Sequence, residues 1–232
     1  MSARAPRTFC LDIGGTGIKG LVADAKGKPL NERVRIDTPR PATPRALLAV
    51  MRDIASQQPS FDRVSAGFPG VVREGVVHTA PNLHPSWAGV DLERELRELT
   101  GKPARVANDA GVQGMGVIAG RGTEIVLTLG TGMGFALFRD GRYVPNVELG
   151  HHPLKGKKTY EDLVCDRERK KDLKHWNKRV QLVLSVLAPI FNYDRLYIGG
   201  GNASRLTFAL PHNASAVSND AGMLGGVRLW EQ

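Results

Sequence analysis

Residues 8–24 read TFCLDIGGTGIKGLVAD, and this stretch decides the fold class. Alternating and β-branched residues predict a strand over residues 8–13, glycines interrupt it over residues 14–17, and strand character returns over residues 18–24. A P-loop or a dinucleotide-binding loop needs a helix after its glycines, and neither signature is spelled here. The stretch therefore predicts a strand, a glycine loop and a second strand, and it disfavours both of those nucleotide-binding folds.

Residues 124–138, EIVLTLGTGMGFALF, repeat this arrangement later in the chain. Strands are predicted over residues 124–129 and 135–138, with a glycine loop over residues 130–134. Backbone N–H groups in such loops bind phosphate oxygens, because no side chain keeps the anion away. A plain hairpin turn is the alternative for either loop taken alone. The repetition predicts a duplicated α/β architecture with a cleft, in which residues 14–17 are the first glycine loop and residues 130–134 the second.

Asn108 and Asp109 follow a predicted strand over residues 104–107 and begin a predicted helix to about residue 119. The ends of strands are where α/β sheets build their sites. A carboxylate between two glycine loops provides what phosphoryl transfer to a hydroxyl needs, namely a base for the proton and donors for the phosphate oxygens. The alternative is that Asn108-Asp109 only caps the helix. The pattern favours Asp109 as the general base of a small-molecule kinase.

Further elements follow from hydrophobic spacing and from capping residues. The predicted helices cover residues 44–58, residues 91–99 with Gly101 at the end, residues 176–191 and, last, residues 221–230. The predicted strands cover residues 61–68, 75–79 and 195–198.

The 232 residues are 41% hydrophobic and 24% charged, which is ordinary for a globular protein with a sizeable core. No apolar run approaches the roughly 20 residues of a membrane helix, and the first residues lack the apolar segment of a signal peptide. We therefore expect a cytoplasmic protein that does not bind membranes. Cys10 and Cys165 are the only cysteines, so neither a disulfide framework nor a cysteine-rich metal site can be built, and both are expected to be free thiols.

The net charge of +9 concentrates polyanions such as nucleotides, nucleic acid or polyphosphate near the surface. Residues 155–179 contain ten Lys or Arg against five Asp or Glu. This basic stretch is either a solvated helix face with mixed charge pairs or a groove for a polyanion, and the sequence leaves both open. Only about seven residues precede the first strand, so a helix-turn-helix has no room there and specific nucleic-acid binding is not expected.

Five motifs, in this order, resemble those of the ROK family of sugar kinases, which belongs to the hexokinase–actin superfamily. They are Asp12-Ile13-Gly14-Gly15-Thr16 with Lys19, Asn108-Asp109, Leu129-Gly130-Thr131-Gly132 with Gly134, Glu148-Leu149-Gly150-His151, and Gly199-Gly200-Gly201. The match runs across essentially the whole chain. Within the family, three further segments resemble the polyphosphate glucokinases: Thr79-Ala80-Pro81-Asn82-Leu83 with Ser86-Trp87, His151-His152, and Trp176-Asn177-Lys178-Arg179-Val180.

The resemblance implies a two-domain actin-like ATPase fold, also described as ribonuclease H-like. Residues 1–108 are then a smaller N-terminal α/β domain and residues 109–232 a larger C-terminal one. The C-terminal helix, residues 221–231, is expected to pack back on the N-terminal domain. A homodimer is the usual assembly of the family and is expected here.

The resemblance also implies roles for individual residues, with Asp109 as the general base. Asp12 ends a buried strand, where a carboxylate needs a cation or hydrogen-bond partners, and it is expected to bind Mg²⁺ through water. Lys19 is expected to contact phosphate, although an exposed strand lysine explains it equally well. The positions expected to hydrogen-bond the hexose are Asn82, Asn108, Asp109, Glu148, His151 and Glu161. The positions expected to contact phosphate are Gly14, Gly15, Thr16, Lys19, Gly130, Thr131, Gly132, Gly134, Gly200 and Gly201.

One feature departs from the family pattern. Many ROK proteins carry a zinc-binding CxCGxxGC motif between the positions of His151 and Glu161, whereas only nine residues lie between them here and none is Cys. Four tetrahedral ligands cannot be assembled from His151 alone, so zinc is not predicted. His152 is a poor second ligand, because neighbours in an extended segment point to opposite faces.

The sequence thus predicts a hexokinase that transfers a phosphoryl group from polyphosphate, ATP or both to the 6-hydroxyl of glucose, with Mg²⁺ and without zinc. One alternative is a strictly ATP-dependent ROK kinase for mannose, fructose or an amino sugar. The other is a non-catalytic regulator that binds a sugar or a polyanion. The donor, the preferred hexose and the oligomeric state are left open by the sequence.

Overall fold

The computed structural model describes residues 4–218 and 222–232. The chain divides into two compact units. Unit 1 contains residues 4–116 together with Gly222–Gln232, and unit 2 contains residues 117–218. Each unit has its own five-stranded sheet and its own buried hydrophobic cluster.

The sheet of unit 1 forms around the first strand-loop-strand stretch. Its strands are β1 (Thr8–Ile13), β2 (Gly17–Ala23), β3 (Val34–Asp37), β4 (Arg63–Phe68) and β7 (Ala104–Asn108), while β5 (Val72–Arg73) and β6 (Val76–Val77) form a separate pair. The order is β3-β2-β1-β4-β7, with β1 antiparallel to β2 and parallel to β4, and with β4 parallel to β7. The carboxyl ends of β1 and β7 therefore meet one edge of the sheet, and this edge carries the first glycine loop and Asn108.

Capping side chains fix the beginning of the first two helices of unit 1. Within the described residues the helices of this unit are α1 (Pro44–Ser56), α2 (Leu92–Thr100), α3 (Asp109–Met115) and α7 (Gly222–Arg228). The Thr43 side chain caps α1 ahead of Pro44, whose missing N–H is harmless at the first helical position. Asp91 caps α2, which ends at Gly101 in the left-handed conformation with φ of 66°. The two predicted helices are confirmed.

The chain returns to unit 1 at its C-terminus. The helix predicted over residues 221–230 is observed as α7 followed by a 3₁₀ turn at Leu229–Glu231, and residue 221 lies outside the described residues. α7 packs against α3 so closely that a Cβ at Gly225 would overlap the carbonyl oxygen of Val112. A glycine is therefore required where these two helices meet.

Unit 2 repeats the sheet topology of unit 1. Its sheet contains β8 (Thr123–Leu129), β9 (Met133–Arg139), β10 (Arg142–Val144), β13 (Arg195–Gly199) and β14 (Ala214–Ala216), while β11 (Pro153–Lys155) pairs with β12 (Lys158–Thr159). The described helices of unit 2 are α4 (Tyr160–Val164), α5 (Asp166–Lys171) and α6 (Leu173–Phe191). The order β10-β9-β8-β13-β14, with β8 antiparallel to β9 and parallel to β13, matches that of unit 1 strand for strand. The predicted α/β duplication is confirmed.

The predicted and observed boundaries differ at several elements, and two of these differences lie near predicted site residues. α3 ends at Met115 and not near residue 119, because the N–H groups of residues 119–121 donate instead to the buried carboxylate of Glu124. Gly134 is a residue of β9, so the second glycine loop runs into that strand. None of the helices in the described ranges is long and apolar enough to cross a membrane.

Candidate active site

Asn108 and Asp109 lie at the junction of β7 and α3. Oδ1 of the buried Asn108 accepts hydrogen bonds from the N–H groups of Ala110 at 3.0 Å and Gly111 at 3.2 Å, and its Nδ2 donates to the Gly70 carbonyl at 3.2 Å. Asp109 is the first residue of α3 and is half-buried. Asn108 is the N-cap residue of α3, and Oδ1 of Asp109 also accepts a hydrogen bond from the Ala110 N–H at 2.8 Å, so the two side chains share this donor.

Two glycines that the sequence analysis did not assign to the site surround this junction. A Cβ at Gly67 would lie 3.2 Å from Cα of Asp109, and a Cβ at Gly70 would overlap the carbonyl oxygen of Thr79. Both belong to the Gly-Phe-Pro-Gly segment that ends β4, and this segment was the available signal. The absence of a side chain at Gly67 lets the backbone approach Asp109 closely, and its absence at Gly70 lets the segment pack against the Thr79 carbonyl.

The first glycine loop places Gly15 next to Asn82, and both are predicted site residues. Gly14 donates from its N–H to the carbonyl of Gly17 at 3.0 Å, which closes the turn between β1 and β2. A Cβ at Gly15 would lie 3.3 Å from Cβ of Asn82, so the exposed Asn82 is a direct neighbour of this loop. Thr16 is exposed at its tip.

Asp12 and Lys19 flank the same loop and interact with each other. Oδ2 of Asp12 accepts a hydrogen bond from Nζ of Lys19 at 2.9 Å. Lys19 is 34% exposed and is the ion-pair partner of Asp12, and its contact with phosphate stays a prediction. Oδ1 of Asp12 has no hydrogen-bond partner among the described residues, and its side chain is one third exposed, so it suits a hydrated cation.

The second glycine loop is held by the segment that follows β13. Gly130 donates from its N–H to the Gly132 carbonyl at 3.0 Å, and the Gly130 carbonyl accepts from Nδ2 of Asn202 at 3.3 Å. Gly200, with φ of 85°, lies so close to Leu129 that a Cβ would overlap the Leu129 carbonyl oxygen. Sequence reasoning missed Asn202, although it directly follows the three glycines.

The remaining phosphate candidates have simpler surroundings. Thr131 and Gly201 are exposed, and a Cβ at Gly201 would meet nothing within 4 Å. Gly134 pairs with Thr128 across β8 and β9. The structure therefore gives a specific steric reason for a glycine at Gly200 and none at Gly201.

Three predicted sugar-binding residues lie around the second glycine loop. Glu161 accepts from the Met133 N–H at 3.0 Å, and its carboxylate fills the space that a Cβ at Gly132 would need. Nε2 of His151 lies 3.9 Å from Oε2 of Glu148. Burial raises the pKa of the Glu148 carboxyl, His151 opposes this shift, and the charge of Glu161 adds to it. The structure thus brings Glu148, His151 and Glu161 into one electrostatic group.

The backbone around His151 differs from the expectation. Leu149–His151 form a 3₁₀ turn and not an extended segment, so the alternation argument applied to the two histidines is wrong. His152 instead packs near the Tyr160 ring, with ring centroids 6.3 Å apart. Among the described residues, no group of three or more His, Cys, Asp or Glu side chains could hold a metal ion.

The segment between His151 and Glu161 contains the β11–β12 hairpin. Its second strand leads directly into α4, which begins with a capping box between Thr159 and Asp162. Glu161 is the second residue of α4, so this cap fixes the backbone that carries its carboxylate. The hairpin thus positions Glu161 by backbone hydrogen bonding.

The basic stretch, residues 155–179, contains lysines and arginines that form ion pairs and lysines that form none with a described residue. Asp166 and Glu168 of α5 form close ion pairs, and hydrogen bonds from the paired cations lower the pKa of each carboxyl to about 2. The partners within 2.7 Å are Arg169, Lys170, Lys171 and Arg179. This part of the stretch is a solvated face with mixed charge pairs.

Five lysines of the same stretch form no ion pair with any residue that the structure describes: Lys155, Lys157, Lys158, Lys174 and Lys178. Lys155 and Lys158 lie opposite each other in the β11–β12 hairpin, a placement that costs stability for like charges. Lys174 and Lys178 line an open groove of about 410 Å³ beside α6, together with Thr207. These five side chains, termed the unpaired lysines, keep the polyanion hypothesis open.

The fold, together with the residues around the first and the second glycine loop, defines a class of protein. This class is the α/β phosphotransferases of the actin-like fold. The sequence profile of the ROK family matches residues 8–168, and the chain belongs to the ROK family. The fold prediction and the family prediction are confirmed.

Similar proteins and structures agree with the assignment to the ROK family. A polyphosphate glucokinase of Mycobacterium tuberculosis is 33% identical over 235 residues, which cover 94% of this chain and 88% of the relative. The crystal structure of an inorganic polyphosphate/ATP-glucomannokinase from Arthrobacter sp. strain KM is 32% identical with a TM-score of 0.86, covering 96% of this chain and 97% of that one. A ROK family glucokinase from Streptomyces griseus, in complex with glucose and AMPPNP, shares the fold at a TM-score of 0.80 and 19% identity, covering 96% of this chain and 98% of that one. At this level the predicted enzyme class, a sugar kinase that phosphorylates an alcohol group, is confirmed.

Proposed function

We propose that this chain transfers the terminal phosphoryl group of polyphosphate or ATP to the 6-hydroxyl of glucose. The observation that carries the proposal is the position of Asp109 at the β7–α3 junction. Asn108 caps the helix with its side-chain oxygen. The half-buried Asp109, whose Oδ1 also accepts from the Ala110 N–H at 2.8 Å, stands at the sheet edge that also carries the first glycine loop. The proposed substrates, glucose and polyphosphate or ATP, are those of the similar polyphosphate glucokinase and polyphosphate/ATP-glucomannokinase.

Asp109 would act on the acceptor. Its carboxylate takes the proton of the 6-hydroxyl as that oxygen forms a bond to the terminal phosphorus, and the bond from this phosphorus to the bridging oxygen of the donor breaks. The products are the sugar 6-phosphate and a donor shortened by one phosphate. In unit 1, Asn82 and Asn108 would hydrogen-bond sugar hydroxyls. In unit 2, the candidates for such hydrogen bonds are Glu148, His151 and Glu161.

The glycine loops would bind the phosphates. Gly15 and Thr16 in unit 1 and Thr131 and Gly132 in unit 2 would donate their backbone N–H groups to phosphate oxygens. Gly14 and Gly130, whose N–H groups close the two turns, would let the phosphate approach because they carry no side chain. Mg²⁺ would be held through water by Asp12 and would neutralise charge on the donor phosphates.

The test is a grid of donors and sugars assayed with the unmodified chain and with Asp109→Asn. We expect sugar phosphate with glucose and at least one donor, and a fall in kcat of about 100- to 10,000-fold in the variant, because a general base contributes on that scale. Asp91→Asn is the matched control, since it removes a carboxylate that caps α2 in the same unit. If neither form turns over while sugar still binds, the chain is a sugar-binding regulator and not a kinase.

Mannose is the second acceptor to include, because the Arthrobacter relative is named a glucomannokinase. A pocket built for one pattern of hydroxyls leaves buried polar groups unpaired with another sugar, so kcat/KM identifies the preferred epimer. A chain that uses only ATP and prefers another hexose would contradict the proposal in favour of the first alternative.

Polyphosphate as donor is supported by the unpaired lysines. Changing the hairpin group (Lys155, Lys157, Lys158) or the groove pair (Lys174, Lys178) to Gln should raise the KM for long-chain polyphosphate more than the KM for ATP, since more phosphates lie within range of the lost charge. Raising the salt concentration should likewise weaken polyphosphate use more than glucose binding. Lys170→Gln and Lys171→Gln, which remove paired lysines, are the controls.

A homodimer in the cytoplasm is the arrangement we propose. Leu182 and Ile190, 41% and 56% exposed on α6, give an apolar surface that a second copy would cover. Light scattering coupled to size exclusion measures the mass, and Leu182→Lys with Ile190→Lys should yield a monomer.

A further inference from the structure

The carbonyl groups of the first glycine loop are hydrogen-bonded by one short segment of the chain. The Thr38 hydroxyl donates to the Gly14 carbonyl at 2.6 Å, and the Thr38 N–H donates to the Thr16 carbonyl at 3.3 Å. The Arg40 guanidinium donates to the Gly15 carbonyl at 2.8 Å. Three successive carbonyl oxygens thus accept from the segment that follows β3.

The N–H groups of Gly15 and Thr16 belong to the same peptide groups as two of these carbonyls. In a trans peptide the C=O and N–H bonds point in opposite directions, so fixing the carbonyl also fixes the N–H. Neither N–H donates a hydrogen bond to any residue within 4–218 or 222–232. A hydrogen bond to the carbonyl also polarises the peptide and makes its N–H a stronger donor. Two successive N–H groups in this state suit an anionic oxygen.

Thr38 and Arg40 contribute in different ways. Thr38 is only 8% exposed and directly follows Asp37, which pairs with Gly17 across β2 and β3, so the sheet fixes its position. Arg40 is exposed and forms no ion pair with a described residue. Its guanidinium therefore supplies a charge-assisted hydrogen bond and adds positive potential beside the loop.

We propose that Thr38 and Arg40 are positioning residues that orient the Gly15 and Thr16 N–H groups toward phosphate oxygens of the phosphoryl donor. The inference rests on the proposed kinase function. The ligand chemistry is a chain of linked phosphates, which polyphosphate and a nucleoside triphosphate share, so the two donors are separate arms of the test.

The first experiment removes the hydroxyl. Thr38→Val keeps the shape and the backbone N–H but loses the bond to Gly14, and we expect kcat/KM for the donor to fall about tenfold, the scale of one hydrogen bond. The KM for glucose should not change, and Thr38→Ser should restore donor use. Thr100→Val is the matched control, because the Thr100 hydroxyl also donates to a backbone carbonyl, that of Leu96 at 2.7 Å, but in α2.

The second experiment removes the guanidinium. Arg40→Met keeps most of the length of the side chain without its charge, and we expect a loss of donor kcat/KM of about tenfold or more, since hydrogen bonds to charged groups are the stronger kind. Arg40→Lys should recover part of it. Arg52→Met is the control, an exposed arginine of α1 in the same unit.

Calorimetric titration with tripolyphosphate measures anion binding without turnover. Weaker tripolyphosphate binding in Thr38→Val and Arg40→Met at unchanged melting temperature supports the positioning role. Unchanged binding and unchanged donor kinetics in both variants overturn it, and so does an equal loss for donor and glucose with a lowered melting temperature. If the unmodified chain makes no sugar phosphate with either donor, the proposed kinase function fails, while this titration still decides the role of the two residues.

Discussion

Lys19 donates a hydrogen bond from Nζ to Oδ2 of Asp12 at 2.9 Å, and the two residues are direct partners in the antiparallel register of β1 and β2. The side chains are 34% and 33% exposed, so the pair contributes less than about 1 kcal/mol to stability. The ion pair matters for cation binding, because the Lys19 ammonium group occupies one oxygen of the only carboxylate in the Asp-Ile-Gly-Gly-Thr motif. A cation that binds Asp12 must share it with Lys19.

Asp12→Asn and Lys19→Met should therefore differ in magnesium dependence and not in stability. Each change should shift the free energy of unfolding by less than about 1 kcal/mol, since the pair is partly solvated. Asp12→Asn should raise the Mg²⁺ concentration needed for half-maximal activity, whereas Lys19→Met should lower it by removing the competing cation. Urea denaturation and magnesium titrations of activity measure the two effects. Identical magnesium curves for all three proteins would contradict the assignment of Asp12.

The second glycine loop offers a pair of substitutions with opposite steric consequences. A Cβ at Gly130 would meet nothing within 4 Å, whereas a Cβ at Gly132 would overlap the Glu161 carboxylate. Gly130→Ala should keep the free energy of unfolding within about 0.5 kcal/mol and raise the donor KM about ten- to hundredfold, because a methyl group keeps the phosphate from the backbone. Gly132→Ala should displace Glu161 from the Met133 N–H and raise the KM for sugar. Unchanged donor KM in Gly130→Ala would argue against phosphate binding there.

The strand-loop-strand pairs could be predicted from sequence because their signals are local. Alternating apolar residues and a glycine run lie within about fifteen consecutive positions, and pairing needs only a tight turn. The Asn108-Asp109 junction could be predicted for the same reason, since a strand, a capping residue and a helix follow one another directly.

Other parts of the site could not be predicted because their partners are distant in the chain. Thr38 and Arg40 bond to backbone carbonyls 24 and 25 residues upstream, and backbone carbonyls carry no sequence signature. β3, which places Thr38, has only four residues and alternates between half-buried and exposed positions. The 3₁₀ turn at Leu149–His151 is similarly hidden, since a single turn has no periodicity to detect.

Glu148 should give the pH profile of glucose binding an acid limb, in which the affinity for glucose falls as the pH is lowered. Burial raises the pKa of this carboxyl above its ordinary value, and only the ionised form accepts hydrogen bonds from two hydroxyls. The KM for glucose should therefore rise as the pH falls through the raised pKa, at a higher pH than an exposed glutamate would give. The raised pKa also means that its stabilising contribution is present below the ordinary pKa and is lost as the pH rises through the folded value.

Glucose KM values measured at saturating donor from neutral pH down into the acid range test this limb, because the raised pKa brings the loss of binding closer to neutral pH than an exposed glutamate would. Glu148→Gln should remove the limb and bind glucose more weakly at neutral pH. Glu98→Gln, which changes an exposed glutamate of α2, should leave the profile as it is. A limb that persists unchanged in Glu148→Gln would assign it to another group.

The contact between α7 and α3 should make Gly225 far less replaceable than its neighbour Gly226. Alanine in a helix is ordinarily better than glycine by about 1 kcal/mol, yet a Cβ at Gly225 meets the Val112 carbonyl, and backbone atoms of a packed helix cannot move aside. We expect Gly225→Ala to lower the free energy of unfolding by more than about 2 kcal/mol and to lower kcat, because α3 begins at Asp109.

In Gly226→Ala the nearest atom would be Sγ of Cys10 at 2.7 Å, the end of a buried thiol whose pKa burial raises to about 12. This contact involves a side chain, so a smaller residue relieves it, and Gly226→Ala combined with Cys10→Ala should be more stable than Gly226→Ala alone. No such partner substitution exists for Gly225, because its obstacle is the main chain. Urea denaturation of the three variants measures the ranking, and equal stability of Gly225→Ala and the unmodified chain would show that α7 does not pack on α3 as described.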